Sequence, residues 1–245
     1  MKQGWFTVES QEQIARDVMR MTLKGDPSAV TAPGQFVNLK LEGRFLRRPI
    51  SICDYSPEGL VLIYKVVGAG TAQMAAMRTG ERLDCLIGLG NGFSLTESGE
   101  RPVLVGGGVG VPPLYRLAKE LTAQGKQVRA VLGFASREDV FYEAEFQNLG
   151  VTVEIFTEDG SYGAAGRVTD ASFCGATYCY ACGPYPMLRA VSDVTPCSGQ
   201  FSLEERMGCG FGACMGCSCK TKDGARRICK EGPVFRKEEI LWEQK

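Results

Sequence analysis

The chain has 245 residues, enough for two modest domains and an appendage, and its 28 basic residues balance its 28 acidic ones. No field of one sign therefore recommends nucleic acid, an anionic membrane or a polyanionic substrate, and the absence of histidine excludes imidazole general-base catalysis, His-ligated zinc and Rieske-type ligation. With 11 cysteines, no apolar signal core and no membrane-length apolar run, the composition points to a cytoplasmic protein whose thiolates bind metal or do redox work.

Residues 1–99 read as short strands separated by turns. Val37, Leu39 and Leu41 alternate with polar residues, and Leu60, Leu62, Tyr64 and Val66 keep the same spacing, which predicts strands with one buried face. Pro33-Gly34, Ser56-Pro57 and residues 88–92 supply turns, and only 71–78 has the look of a short helix. Such a pattern predicts a small antiparallel β barrel. Arg48-Pro49-Ile50-Ser51 opens one strand, with Tyr64-Lys65-Val66-Val67 and Gly68-Ala69-Gly70-Thr71 downstream. An arginine pairs with a diphosphate, a serine hydroxyl reaches a flavin edge, and a Gly-Thr turn opening a helix offers amides to phosphate. Each piece alone reads equally as an edge strand and a barrel turn.

After residue 100 the period changes to alternating strands and helices over 100–196, which predicts an α/β domain with a parallel sheet. A strand at 103–105 runs into Gly106-Gly107-Gly108-Val109-Gly110 and a helix opened by Pro112-Pro113. A strand at 128–134 leads to a helix carrying Phe141, Phe146 and Leu149, with Ser136 and Asp139 spaced as a capping box. Strands at 151–156 and 178–182 follow, the second ending in Cys182-Gly183-Pro184-Tyr185-Pro186-Met187. The glycine run does not fit G-x-G-x-x-G and alone reads as readily as a tight turn as it does as a dinucleotide site, but two such turns at strand ends predict a ligand cleft between them. Cys182, beside Gly-Pro at a strand end, is a candidate nicotinamide contact. Arg137 suits a 2′-phosphate whereas Glu138 and Asp139 repel one, so the choice between NAD and NADP stays open.

Residues 197–245 are marked by Cys and Gly. Cys209, Cys214 and Cys217 stand in C-x4-C-x2-C spacing with Cys229 following, the plant-type 2Fe-2S pattern. Interleaved glycines let the loop fold tightly and aim amides at sulfur. A structural zinc site is the alternative, although zinc sites usually show paired C-x2-C knuckles and only one occurs here. Cys219 competes for a ligand position, and Cys217 is preferred because it completes the spacing. Cys53, Cys85, Cys174, Cys179 and Cys197 lack ligand spacing and read as small core residues.

Taken together, these motifs resemble the ferredoxin-reductase superfamily along nearly the whole chain, and within it the electron-transfer subunits of NAD-linked dihydroorotate dehydrogenases. The resemblance implies FAD in the barrel (1–99), NAD on the α/β domain (100–196) and a 2Fe-2S cluster in a small C-terminal lobe (197–245). It implies that Arg48, Pro49, Ile50 and Ser51 hold the flavin and its phosphates, Lys65, Val66 and Val67 its ribityl chain and ring edge, and Gly70 and Thr71 its diphosphate. Gly107, Gly108 and Gly110 would cradle the NAD diphosphate, Cys182, Gly183 and Pro184 would flank the nicotinamide, and Cys209, Cys214, Cys217 and Cys229 would ligate iron. Ile50 stands where many superfamily members place a flavin-stacking tyrosine. The implied partner is an FMN-containing catalytic subunit in a two-plus-two heterotetramer of pyrimidine biosynthesis, with the substrate base on that partner. Another NAD(P)H-linked multi-component reductase, of ferredoxin or sulfide type, and a zinc-bearing binding module are the rival readings.

Overall fold

Strand alternation closes the N-terminal region into a barrel in the computed structural model, which describes residues 1–242. Strands β1 (Lys2–Ala15), β2 (Val18–Lys24), β3 (Phe36–Lys40), β4 (Arg48–Ser56), β5 (Gly59–Lys65) and β6 (Arg82–Leu89) run in the closed order β1-β2-β5-β4-β3-β6. Their inward faces bring Phe6, Met21, Val37, Leu39, Ile52 and Leu62 into one core. Helix α1 (Ala69–Ala75), between β5 and β6, sends Met74 into that core. It starts two residues before the predicted 71–78 segment and stops three before its end, because Gly68 takes the N-cap.

The second layer follows as β7 (Pro102–Gly107), α2 (Pro112–Ala123), β8 (Arg129–Phe134), α3 (Glu143–Asn148), β9 (Thr152–Thr157), β10 (Ala164–Ala165), β11 (Tyr178–Cys182) and α4 (Tyr185–Val194). Next come β12 (Gly199–Ser202), the hairpin of β13 (Ser218–Thr221) and β14 (Gly224–Arg227), and β15 (Val234–Arg236). The resulting seven-stranded sheet has the order β10-β9-β8-β7-β11-β12-β15, parallel except where β15 runs antiparallel to β12. Two strands of this sheet thus come from beyond residue 196, so the C-terminal segment is built onto the α/β layer. The predicted capping box at Ser136 and Asp139 does not open α3. It frames a short 3-10 turn, Arg137–Asp139, while α3 starts after Tyr142, a left-handed residue at φ 67°.

Barrel and sheet share a core in which Val18, Cys53 and Ile63 meet Leu114, Leu117 and Tyr180. Polar ties reinforce it: Arg116 of α2 donates to Asp54 (3.1 Å) and to the carbonyl of Tyr55 (2.8 Å), and its guanidinium lies 3.9 Å from the centre of the Tyr55 ring. Lys119 adds an ion pair to Asp54 at 2.9 Å. A second bridge runs from the β1–β2 turn, where Arg16 bonds Asp139, Glu138 and Ser136 of the α/β layer.

Candidate functional site

The strand order reverses between β7 and β11, and open α/β sheets bind ligands at the carboxyl ends of strands at that point. A cleft of about 800 Å3 lies there, bounded on one side by Pro49, Ser51 and Lys65 of the barrel and on the other by residues 107–110 and 182–184. Three motifs distant in the chain therefore face one space.

The glycines in its wall serve different ends. A Cβ on Gly107 would lie 2.4 Å from Met187 Sδ, and one on Gly110 would lie 2.2 Å from the carbonyl oxygen of Cys182, so both are small because the two turns pack against each other. Gly108 alone of the three has positive φ (+50°) and no atom within 4 Å of its Cβ position, leaving its backbone open to a ligand. Beyond it, Pro112-Pro113 opens α2; neither proline has an N–H to offer, and the amide of Leu114 already donates to the Val111 carbonyl at 3.1 Å, so the open backbone of this turn is that of Gly108. Cys182 pairs with Gly106 on one side and Ser202 on the other. Burial pushes its thiol up to about 12 while a hydrogen bond with Ser202 pulls the other way, so the thiol stays neutral at physiological pH.

On the barrel side, Pro49 and Ser51 point into the cleft, and Lys65 reaches within 3.8 Å of Asp139. Arg48 turns toward α1: a Cβ on Gly70 would lie 2.2 Å from its Nε, and its Nη1 donates to the carbonyl of Leu46 at 2.7 Å. This sets a guanidinium over a helix N-terminus, two anion-attracting elements together. The Thr71 hydroxyl is occupied, accepting from the amides of Val67 (2.9 Å) and Gly68 (3.2 Å), so it shapes the turn and leaves ligand contact to backbone amides. Not every side chain of these motifs faces the cleft. Ile50, by alternation along β4, and Val66, just past the end of β5, both pack against the barrel core, and neither is among the residues that line the cleft. Val67 is 80% exposed and lies outside the cleft lining.

The four motif cysteines fall into two pairs. Cys209 Sγ accepts from the amides of Ala213 (3.2 Å) and Cys214 (3.5 Å), and the Cys209 and Cys214 thiols hydrogen-bond each other. Cys217 Sγ accepts from the amide of Cys229 at 3.4 Å, and those two thiols are likewise bonded. Burial pushes Cys209 up, but the amides of Phe211, Cys214 and Ala213 outweigh it and bring the thiol to about 6, favouring the ligating thiolate. Burial, followed by the bond to Cys217, pushes Cys229 up to about 12. Two thiolates per iron with amides aimed at sulfur is the donor set of a 2Fe-2S cluster, whereas tetrahedral zinc draws its ligands to one point. Cys219 lies on β13, opposite Arg226 and packed against the core that holds Cys217 and Cys229, and among the described residues it accepts no amide bond of the kind made to Cys209 and Cys217. Of the other cysteines, Cys53, Cys85 and Cys179 are buried as expected, Cys197 is half-buried, and Cys174 is exposed.

The cysteine segment is fastened to the barrel. Asn91 donates to the carbonyls of Glu231 (3.0 Å) and Val234 (2.7 Å) and accepts from the Val234 amide (3.1 Å). Sequence reading missed several cleft residues for lack of a motif: Phe36, Arg16, and Glu204 with Glu205 just after β12. Although its side chain keeps solvent contact, partial desolvation and then the neighbouring Glu205 raise the Glu204 carboxyl above its ordinary value. No helix of the described residues is long and apolar enough to cross a membrane.

Comparison with known proteins agrees with this geometry. Residues 104–193 match the family model "Oxidoreductase NAD-binding domain", and residues 204–241 match "Iron-sulfur cluster binding domain of dihydroorotate dehydrogenase B". The electron transfer subunit of dihydroorotate dehydrogenase B (NAD(+)) from Shouchella clausii is 46% identical over 98% of this chain and 98% of its own length. Its counterpart from Bacillus caldolyticus is 46% identical over 96% and 97%. Among solved structures, an NADH-dependent reduced ferredoxin-NADP oxidoreductase superposes with a TM-score of 0.88 at 30% identity, covering 97% of this chain and 90% of that one. The FAD/NAD-binding domain of a nitric oxide dioxygenase from Vibrio cholerae shares the fold, with a TM-score of 0.67 at 19% identity over 77% of this chain and 90% of that one.

Proposed function

The chain belongs to the family of electron-transfer subunits of dihydroorotate dehydrogenase B (NAD(+)), and from that membership we propose that it links a dihydroorotate-oxidising catalytic subunit to NAD+ in pyrimidine biosynthesis. It is an oxidoreductase subunit. Residues 1–99 serve as the FAD barrel, 100–196 as the NAD domain and 197–245 as the 2Fe-2S segment, the last lending β12 and β15 to the NAD domain's sheet. Bound together, a flavin and an iron-sulfur cluster supply the exchange of hydride for single electrons. The protein's own part is placement. Arg48 and the first-turn amides of α1 supply counter-charge for a diphosphate, while Pro49, Ser51 and Lys65 bound the flavin side of the cleft. Gly108 offers open backbone to a second diphosphate. Gly183, Pro184 and the neutral Cys182 thiol bound the nicotinamide side, and that thiol does not compete as a nucleophile. The absence of histidine fits a subunit that abstracts no substrate proton.

The observation that carries this reading is the position of the paired thiols, on a segment fastened to the barrel beside a cleft walled by both predicted nucleotide motifs. The loop also presents Phe211 (45% exposed) and Met215 (53%) around the exposed Cys214, an apolar face suited to an FMN-containing catalytic subunit in a two-plus-two cytoplasmic assembly. Likeness to the ferredoxin-NADP oxidoreductase favours a second reading, as a ferredoxin-type reductase, but at 30% identity against 46% for the dihydroorotate dehydrogenase subunits. The deciding measurement compares NADH-dependent dye reduction with dihydroorotate-dependent NAD+ reduction, each with and without the catalytic subunit. The chain alone should reduce dyes and leave dihydroorotate untouched, with the partner joining the two activities. Turnover of dihydroorotate by this chain alone, or no NADH oxidation when flavin-loaded, would overturn the assignment.

A further inference from the structure

β3 and β4 lie side by side, with Phe36 opposite Ser51 and Asn38 opposite Pro49. Alternation puts these four side chains on one face of the strand pair, turned away from the barrel core. Phe36, Pro49 and Ser51 line the cleft, and Phe36 also packs into the core that holds Cys217 and Cys229. Asn38 is only 1% exposed. Its Nδ2 donates to the carbonyl of Cys209 at 3.1 Å, an approach so close that a Cβ on Gly210 would lie 2.2 Å from Nδ2. Its backbone carbonyl accepts from Arg47 (3.2 Å), which is itself held by the Asp84 carboxylate at 2.8 Å. Asn38 Oδ1, by contrast, is buried with no hydrogen-bond partner, the one such side-chain atom among the described residues.

A buried acceptor without a donor costs stability, and native proteins rarely leave one. Here the orphan belongs to a residue that shares a strand face with the flavin-side wall and holds the first cysteine of the cluster motif. We propose that Asn38 serves both cofactor sites, Nδ2 fixing the loop at Cys209 and Oδ1 accepting a hydrogen bond from an N–H or O–H of the bound flavin. The inference rests on the FAD reading above. A carboxamide is the side chain that donates and accepts from one planar group. Oδ1 is only an acceptor, so the ring carbonyls of a flavin are ruled out as its partner, leaving the ring N3–H and the ribityl hydroxyls.

The test uses the full chain purified with its catalytic subunit, stripped of FAD and titrated back, alongside electron paramagnetic resonance and redox titration of the reduced cluster. Asn38→Leu removes both bonds, and Asn38→Ala removes them without added bulk should the leucine variant not fold. Either is expected to bind FAD up to about tenfold more weakly and to shift the cluster's resonance and midpoint potential with iron retained. FAD methylated at ring N3 separates the donors. If the ring donates, the wild-type chain discriminates against the analogue and the variant does not; if the ribityl chain donates, both treat the pair alike. Unchanged FAD affinity in a folded variant would overturn the proposal. A wild-type chain that takes up no FAD would instead overturn the functional reading beneath it, which the wild-type titration reveals separately.

Discussion

Along the cleft, backbone is held by backbone: Gly110 and Gly107 press against Cys182 and Met187, and the strands behind them are buried. Around the cysteines, in residues 204–216, only Gly210 and Gly212 are buried, and amides point at sulfur. The cleft draws its shape from packing that any folded copy of the chain already has. The loop draws its shape from thiols, and metal–thiolate bonds that organise such a loop count directly as folding free energy. One chain thus carries one site made by its core and another that is rooted in the core at Cys217 and Cys229 and completed, at Cys209 and Cys214, together with its metal.

The strongest way to break this contrast is to remove a ligand. Cys217→Ser or Cys229→Ser should lose most of the iron and the dihydroorotate-linked activity of the complex, as should the same change at Cys209 or Cys214, while NADH-dependent dye reduction persists. Iron analysis and the visible spectrum report it. Cys219→Ser should keep its iron, and bleaching there with an intact Cys217→Ser cluster would reverse the ligand assignment.

Next in size is the reciprocal experiment on the packed side. Gly110→Ala forces a methyl against the Cys182 carbonyl and should cost about 1–3 kcal/mol of stability together with NADH reactivity, at unchanged iron content. Thermal unfolding and stopped-flow flavin reduction measure the two losses. If iron fell in parallel, the two sites would not be independent.

Arg48→Ala should be milder, leaving the fold intact and weakening FAD retention by about tenfold. The flavin-to-protein ratio after gel filtration checks it, and a full complement of FAD would remove Arg48 from the site.

The smallest effect concerns the bridge that joins barrel and sheet at the cleft wall. Burial pushes Asp139 up, but hydrogen bonds from Arg16 and Ser136 hold its carboxyl below its ordinary value of 3.8. The stability it contributes is therefore present above that value and lost as pH falls through the lower folded one. Arg16→Ala should show a slight loss of melting temperature at pH 7 that shrinks below pH 3.8. An equal deficit at all pH values would mean that Arg16 acts through packing alone.

How much of this could be read from the chain follows the same division. The cysteine spacing, the glycine turns and the strand parity of 37–41 were legible, because ligand geometry and local backbone demands are written in adjacent residues. Motif position does not say where a side chain points: Ile50 keeps parity with Ile52 and turns into the barrel. Ser136 and Asp139 look like a helix cap because the sequence cannot show that Arg16, from another layer, takes the carboxylate. Asn38 carried no signal at all, since its significance lies in a carbonyl distant in the chain.

The edge of the sheet has a consequence for how such a chain can vary. Ser202, at the end of β12, sits directly opposite Val234, at the start of β15, so the cluster-bearing segment departs and returns at facing positions of one ladder. Closing a loop whose ends are already paired costs little more as the loop lengthens. The segment is in effect a cassette plugged into a two-pronged socket. Between those ends Cys217, Ile228 and Cys229 are set into the same core as Val103 and Leu188, so it is the exposed part of the segment, around 204–216, whose length is free to vary.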